Sequence, residues 1–138
     1  VDEDEGGVPA AGACTNAADK AIIDSATIAK LACEGAACAG KKALGGKDQD
    51  LCIAEDAPTL KQLSAGCQKC FDNITTCVPN ECVSFPGMYT GTGDCPVTGL
   101  PNTDFAKCPA TATPDAKCVE CQMRECAPAF TTCSGISM

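Results

Sequence analysis

Two cysteine-rich stretches decide the fold: CQKCFDNITTCVPNEC at residues 67–82 and CVECQMRECAPAFTTC at residues 118–133. Both begin with Cys-X-X-Cys, and their cysteines stand at relative positions 0, 3, 10 and 15 in the first and 0, 3, 8 and 15 in the second. At about 100° per residue, each set falls within an arc of roughly 140° on an ideal helix. The pattern predicts two helices related by a loose duplication, each with its cysteines on one face.

The composition predicts that covalent cross-links, rather than a large apolar core, hold the chain together. The 138 residues include 14 cysteines but no histidine, no tryptophan, four phenylalanines and one tyrosine. A core with few large side chains buries little apolar area to offset the entropy lost by an ordered backbone. Seven disulfides, at about 2–4 kcal/mol each, would make up the difference. We therefore expect a small, disulfide-rich, mainly α-helical fold of three to four helices packed as cross-linked hairpins.

The cysteines allow three interpretations: metal ligands, a redox pair or disulfides. Cys67, Cys70, Cys118 and Cys121 could supply four thiolates to tetrahedral zinc, but ten further cysteines would then have no role. A thioredoxin-like pair needs a helix N-terminus that activates the thiol, whereas Cys67 is expected within a helix and Cys118 lies among acidic residues. The even count favours disulfides. The residues predicted to form them are Cys14, Cys33, Cys38, Cys52, Cys67, Cys70, Cys77, Cys82, Cys95, Cys108, Cys118, Cys121, Cys126 and Cys133.

The connectivity of these disulfides does not follow from the spacing. A bridge within one helix would constrain little, so we expect bridges between neighbouring helix faces. The four cysteines of the second stretch should join their helix to its counterpart and to the loop before it. Phe130, one of the few aromatic residues, is expected to pack at that join.

Apolar spacing predicts a first helix over residues 15–33. Thr15 or Asn16 is expected to cap it, and Asp19 lies in its first turn, where the helix dipole favours a carboxylate. Small residues form its predicted buried stripe: Ala18, Ile22, Ser25, Ala29 and Cys33. The following run continues or restarts the helix and stops at Gly45–Gly46.

A polar connector carrying Cys52 is predicted next, and a second long helix follows from Pro58 until Pro79 ends it. Its predicted buried stripe is Leu60, Leu63, Cys67, Cys70, Phe71, Ile74 and Cys77. A final helix is expected from about 115 to the early 130s, bent or restarted near Pro128.

The domain organisation predicted is an extended N-terminal arm over residues 1–13 and one disulfide-linked helical domain over residues 14–138. The duplicated Cys-X-X-Cys helices occupy residues 58–82 and 115–135. Between them, residues 83–114 are rich in Gly, Pro, Thr and Asp and predict a long irregular loop, with room for a short hairpin, tied by Cys95 and Cys108.

Other chemistry finds little support in the sequence. The lack of histidine removes the imidazole base and the nucleophile pairs that depend on it. Four connector carboxylates, Asp48, Asp50, Glu55 and Asp56, are expected to be solvated rather than paired as a glycosidase site. The sequence therefore predicts no enzyme, no cofactor and no metal. Asn73, in Asn-Ile-Thr, is a possible N-glycosylation site.

Charge and hydropathy bear on partners and location. A formal net charge of −8, with acidic residues grouped at positions 2–5, disfavours nucleic acid as a partner because phosphate binding depends on Lys and Arg. No run approaches 18 apolar residues, so no membrane span is expected. The N-terminus has neither a basic nor a long apolar segment, and we expect a mature chain after signal cleavage. The cysteines predict a secreted protein or one in an oxidising lumen, and the thylakoid lumen is one such place.

The order LSAGCQKCF at residues 63–71 followed by CVECQMRECAPAFTTCSG at residues 118–135 resembles a cysteine-rich helical module of secreted or lumenal proteins of algae and other protists. That module has an LSxxCxxC helix and a closing CxxCxxxxCxPAFxxCSG segment. The chain departs from it by the long insertion between the two halves. The resemblance implies a helical, disulfide-linked fold and no activity or catalytic residue.

These observations favour a non-catalytic structural or docking subunit of a larger extracellular or lumenal assembly. A filament, a coat, or the lumenal face of a membrane complex such as an algal photosystem would each suit. The expected contact surfaces are the arm 1–13 and the loop 83–114, and the expected partners are other protein subunits. Two alternatives stay open: a free secreted ligand, such as a pheromone or effector, and a small-molecule or lipid carrier.

Overall fold

The computed structural model describes residues 12–87, 89–96, 103–108 and 115–137. In chain order the elements are α1 Ala17–Ala26, α2 Ile28–Ala43, α3 Gln49–Glu55, α4 Ala65–Cys82, β1 Ser84–Phe85, β2 Tyr89–Thr90, α5 Ala116–Glu125 and α6 Ala127–Ser134. Short 3-10 turns cover Leu60–Gln62 and Phe105–Lys107. The mainly helical, disulfide-rich fold is confirmed, but these residues form six α-helices rather than three or four.

The predicted helix over 15–33 is wrong as a single element, because Thr27 interrupts it. The Thr27 backbone has a φ of 76°, a left-handed conformation that β-branched residues rarely adopt. Its amide donates to the Ile23 carbonyl at 2.8 Å, which ends α1. Its side chain accepts from the Lys30 amide at 3.4 Å and caps α2. One threonine thus ends one helix and starts the next, without the glycine or proline that usually marks such a break.

The predicted buried stripe of the first helix is also wrong, by one position. Asp19 and Ile23 are the buried residues of α1, whereas Ala18 and Ser25 are exposed. On α2, Ala29 is exposed and the buried face includes Leu31 and Cys38. The small residues differ too little in hydrophobicity to show from the sequence which face of the helix is buried.

The region between α2 and α4 differs from its prediction in two places. The expected polar connector contains α3, whose Cys52 and Ile53 are buried. The second long helix does not begin at Pro58: a 3-10 turn at Leu60–Gln62 precedes α4, and Ser64 is the N-cap of α4. Even so, Leu60, Leu63 and the rest of the predicted stripe up to Ile74 are buried. The apolar spacing therefore predicts the buried positions correctly both in the 3-10 turn and in α4.

Pro79 does not end α4, which continues to Cys82. A proline inside a helix removes one hydrogen bond and costs about 3 kcal/mol or more. Disulfides at Cys77 and Cys82 flank Pro79 and attach this last turn to α5 and α6. The cross-links hold the backbone helical where the local sequence would stop it.

The described parts of the predicted loop 83–114 contain the short antiparallel hairpin of β1 and β2, with Ser84 opposite Thr90 and Phe85 opposite Tyr89. The irregular segment 91–96 that follows the hairpin stays close to the end of α4. The Cys95 amide donates to the Cys82 carbonyl at 2.9 Å, and the Thr92 amide donates to the Glu81 carbonyl at 2.9 Å. The described residues 89–95 of the loop are therefore attached to the end of α4.

The final helix restarts one residue before Pro128, as α5 gives way to α6 at Cys126. Gly135, with a φ of 79°, ends α6 in the left-handed conformation that favours glycine. A Cβ there would lie 2.6 Å from Thr15 Cγ2 and 3.0 Å from Gly12 Cα. Only glycine lets the first described residues approach the end of α6 this closely.

The main core lies where α1 to α4 meet α6. Phe71 of α4 and Phe130 of α6 form an edge-to-face pair with ring centroids 5.0 Å apart, and the prediction that Phe130 packs at the join is confirmed. Half-cystines are the most frequent residue among the buried core side chains, which also include Ile23, Leu31, Ile53, Leu60 and Leu63. A second, smaller cluster contains Cys82, Cys95 and Cys121.

Candidate functional site

Three disulfides join α4 to α5 and α6 in one antiparallel register, and together we name them the disulfide ladder: Cys70–Cys133, Cys77–Cys126 and Cys82–Cys121. Cys77 follows Cys70 by seven positions, and Cys133 follows Cys126 by seven positions. The next step is five residues on both sides. From one bridge to the next, the residue number rises along α4 by as much as it falls along α5 and α6. This is the register of an antiparallel helical hairpin.

The first cysteine of each duplicated stretch lies outside the ladder and binds another segment. Cys67 pairs with Cys14, which precedes α1, and Cys118 pairs with Cys95 in the insert loop. Two more bridges fix α2: Cys38–Cys52 joins it to α3, and Cys33–Cys108 joins it to the insert loop. All seven bridges connect different elements.

All fourteen cysteines lie in the described residues and none is free. The cysteines weighed as zinc ligands, Cys67 and Cys70 in one pair and Cys118 and Cys121 in the other, have four different disulfide partners. In the part of the chain that the structure describes, no group of three or more Cys, Asp or Glu side chains is arranged to hold a metal ion. The geometry supports a cross-linked scaffold.

The base of the N-terminal arm is attached to the end of α6. The amides of Gly12, Ala13 and Cys14 donate to the carbonyls of Thr132, Cys133 and Ser134 at 3.2, 2.8 and 3.0 Å. The last carbonyls of a helix have no partner within it, so this pairing satisfies groups that α6 leaves open. Residues 1–11 of the predicted arm lie outside the described residues.

Asp19 is a buried carboxylate whose structural role the sequence did not reveal. It is 2% exposed, and it accepts hydrogen bonds from the Ser64 amide at 2.9 Å, the Ser64 hydroxyl at 2.5 Å and the Asn16 amide group at 2.7 Å. Ser64 is the N-cap of α4, so Asp19 joins the first turn of α1 to the start of α4. A carboxylate beside a helix N-terminus is favoured by the helix dipole.

Glu34 is a second buried carboxylate, on α2. Its Oε1 atom accepts from the amides of Thr59 and Leu60 at 2.9 and 3.0 Å, and it thereby caps the 3-10 turn ahead of α4. The Oε2 atom is buried and has no hydrogen-bond partner among the residues described. Each carboxyl group accepts hydrogen bonds from a segment distant in sequence and so positions the helical turn that begins there.

Gln49, Gly35 and Thr75 form a buried polar contact between α3, α2 and α4. The Gln49 Nε2 atom donates to the Gly35 carbonyl and to Thr75 Oγ1, both at 2.9 Å. Thr75 Oγ1 donates in turn to the Phe71 carbonyl at 2.7 Å. The Gln49 amide nitrogen, the Gly35 carbonyl and the Thr75 hydroxyl each have a partner, which is the condition for burying a polar group without large cost.

The connector carboxylates lie at the surface, and two of them pair with one lysine. Glu55 and Asp56 both bind Lys47, at 2.8 and 3.1 Å, and hydrogen bonding to Glu55 first and Asp56 second raises the pKa of the Lys47 ammonium. Asp50 and Asp48 are exposed. These four side chains provide surface charge and one ion-pair cluster.

An open cleft of about 420 Å³ lies where α2 ends. Its lining includes Lys41, Lys47, Asp56 and Thr103, and the Lys41 ammonium stands 5.1 Å from the centre of the Phe105 ring, within cation–π range. The charged lining suits a polar molecule better than a lipid chain.

Several large apolar side chains are exposed in the described residues. Val119 and Met123, 40% and 45% exposed, lie one turn apart on the outer side of α5, and Phe85 of the hairpin is 43% exposed. None of the helices described combines the length and apolar character that crossing a bilayer requires.

Comparison with protein-family models, with curated proteins and with solved structures finds no match to this chain. The resemblance to cysteine-rich algal and protist modules therefore stays a prediction. The seven disulfides indicate an oxidising compartment, such as the extracellular space or a lumen.

Proposed function

We propose that the protein is a non-catalytic structural or docking subunit of an assembly on the extracellular or lumenal side of a membrane. The observation that carries this proposal is the anchoring of its two candidate contact segments. The insert loop is fixed by Cys95–Cys118 to α5 and by Cys33–Cys108 to α2. The base of the arm is fixed by Cys14–Cys67 to the start of α4.

Anchoring favours docking because a segment held in place before binding loses less entropy on binding. A free loop of this length, rich in Gly, Pro and Thr, would have to be ordered by its partner. Two bridges instead tie it to the helices at Cys95 and Cys108. The exposed Phe85 on the hairpin and Val119 and Met123 on α5 add apolar area of the kind that interfaces use.

The first test measures the state of the native protein. When it is isolated from its source without reduction or denaturation, sedimentation should give a mass well above the 13.9 kDa of one chain. An amine-reactive cross-linker should join Lys107, exposed in the insert loop, to another chain. Lys20, which is also exposed and lies on α1, is the control and should stay unlinked. A monomer with an unlinked Lys107 contradicts the proposal and favours a free secreted ligand.

A second test uses two double variants. C95A with C118A releases the insert loop from α5, whereas C38A with C52A removes a bridge between α2 and α3. Both should retain helical circular dichroism at low temperature. Only the first should weaken co-assembly with the native partners. Equal assembly by both variants would show that the anchored loop is not a contact surface.

A second candidate function is carriage of a small polar molecule, which the cleft beside Lys41 favours. Its volume of about 420 Å³ falls in the range of about 300–1,000 Å³ that small-molecule sites occupy. Native mass spectrometry of the isolated protein is the test, since a bound molecule adds mass that K41A should remove. If the native protein carries no adduct, the carrier function is rejected.

A further inference from the structure

We infer that Asn73 is an N-glycan acceptor and that it receives its glycan before α4 folds. The inference rests on the extracellular or lumenal location in the proposed function, but not on any partner. Asn73-Ile74-Thr75 is the one Asn-X-Ser/Thr sequence in the chain, and Asn73 is exposed in the middle of α4. Thr76 and Asn80, at helical spacing from it, are exposed as well.

The folded helix separates the two residues that the acceptor motif needs together. Residues two apart on an α-helix point about 200° away from each other. Asn73 accordingly faces outward, while Thr75 is only 7% exposed. The Thr75 hydroxyl accepts from Gln49 Nε2 at 2.9 Å and donates to the Phe71 carbonyl at 2.7 Å. A transferase that recognises the hydroxyl cannot reach it once α4 has packed against α2 and α3.

The order of synthesis keeps this segment available. The bridges that fix α4 on either side of Asn73 join Cys70 to Cys133 and Cys77 to Cys126. Even Cys121, the first ladder partner to be made, follows Thr75 by 46 residues. An isolated helix of 18 residues is marginal in water, and the segment Asn-Ile-Thr-Thr-Cys-Val around the acceptor has low helix propensity. Until the second cysteine stretch has been made, no ladder disulfide can hold Asn73-Ile74-Thr75 in a helix, and α4 has only the Cys14–Cys67 bridge and its contacts with α2 and α3.

The chemical step is a simple substitution. The Asn73 Nδ2 atom attacks the anomeric carbon of a lipid-linked oligosaccharide pyrophosphate, and a C–N bond forms as the C–O bond to the pyrophosphate breaks. Nδ2 loses one proton, and the lipid pyrophosphate leaves with the electron pair. The donor is the only co-reactant, and no oxidation or reduction occurs.

A glycan at Asn73 has a consequence for the assembly. The glycan on Asn73 Nδ2 would extend from the exposed strip of α4 formed by Asn73, Thr76 and Asn80, beside the ladder residues Cys70 and Cys77, which stand three and four positions from Asn73. That strip of α4 must then face solvent in any complex. Contacts would be left to the insert loop, the arm and the outer side of α5.

The acceptor site is tested by translating the full chain, preceded by a cleavable secretory leader, in the presence of endoplasmic-reticulum microsomes. Wild type should gain one glycan that peptide N-glycosidase removes. N73Q and T75V should gain none. T75S keeps the hydroxyl and should be glycosylated, as should N80Q, a change at an equally exposed asparagine on the same side. An unglycosylated wild-type chain overturns the inference.

The order of events is tested on purified, unglycosylated protein supplied with oligosaccharyltransferase and a lipid-linked oligosaccharide. The reduced and alkylated chain should be modified, whereas the oxidised, folded protein should not. Equal modification of the two forms overturns the proposed order. Both experiments are independent of assembly, so their failure is distinguishable from failure of the docking proposal.

Discussion

Cys77 and Cys126 join the middle of α4 to the junction of α5 and α6, with their Cα atoms 5.9 Å apart. The two cysteines occupy different relative positions in their stretches, the eleventh residue of one and the ninth of the other. The bridges on either side fix the antiparallel register, and in that register the eleventh residue of the first stretch lies opposite the ninth residue of the second. The middle cysteines stand at different positions in the two stretches, and this difference places Cys77 opposite Cys126 so that their disulfide can form.

Removing this middle bridge by C77A with C126A should lower the free energy of unfolding by about 3 kcal/mol. An isolated loop between residues 49 apart would give about 4 kcal/mol by the same entropy relation. The neighbouring Cys82–Cys121 bridge already shortens the loop in the unfolded chain, so the increment is smaller. Urea denaturation of the double variant under non-reducing conditions measures it, and an unchanged midpoint would contradict a ladder role.

Asp19→Asn should destabilise the protein by about 1.5–3 kcal/mol, the range for a hydrogen bond to a charged group. The amide has the shape of the carboxylate, but its NH₂ group would face donors on Ser64 or Asn16. Asp24→Asn, an exposed change on the same helix, is the control and should stay within about 0.5 kcal/mol. Thermal and urea unfolding of both variants gives the comparison, and equal stabilities would remove Asp19 as the link between α1 and α4.

Gly35→Ala should lower stability by about 1–3 kcal/mol even though alanine is the better helix former. The added Cβ would stand 2.5 Å from Thr75 Cγ2, which belongs to the facing helix. Thr75→Ser removes that methyl group and keeps the hydroxyl, so the double variant should recover part of the loss. A double-mutant cycle measures the coupling, and strictly additive effects would show that α2 and α4 do not meet as closely as described.

Much of this fold could be predicted from spacing, and what could not has identifiable causes. The buried stripe from Leu60 to Ile74 was visible because large apolar residues recur at helical intervals. The phase of α1 was not, because its two isoleucines are adjacent, at positions 22 and 23, and its other apolar residues are alanines. Asp19 looked like an ordinary first-turn carboxylate, and its partner Ser64 is 45 residues away.

The disulfide partners were hidden for a different reason. Cysteines on one face of each helix predicted that the helices would be joined by disulfides. Which cysteines pair depends on whether the helices pack parallel or antiparallel, and no local sequence pattern contains that information. The break at Thr27 likewise has no sequence marker, since threonine seldom adopts a positive φ. Pro79 is the opposite case: it predicts a helix end that is absent, because the flanking disulfides at Cys77 and Cys82 hold the backbone helical past the proline.

Asp72 predicts how stability depends on pH. Burial is the main cause that raises the pKa of its carboxyl group, and Asp50 adds to the rise while Lys69 opposes it. The folded state therefore binds a proton more readily than the unfolded chain does, and this residue makes stability fall as pH rises from the usual aspartate pKa of 3.8 through the raised value.

Asp72→Asn should consequently be more stable than wild type at pH 7, and the difference should shrink as the pH falls towards 3.8 and below. Asp50→Asn leaves Asp72 in place and should shift its pKa downward, which an NMR titration of the Asp72 carboxyl carbon would show. Urea midpoints of wild type and Asp72→Asn across the same pH range complete the test. A difference that grows on acidification would mean that the carboxylate, rather than the acid, is the form that the folded protein prefers.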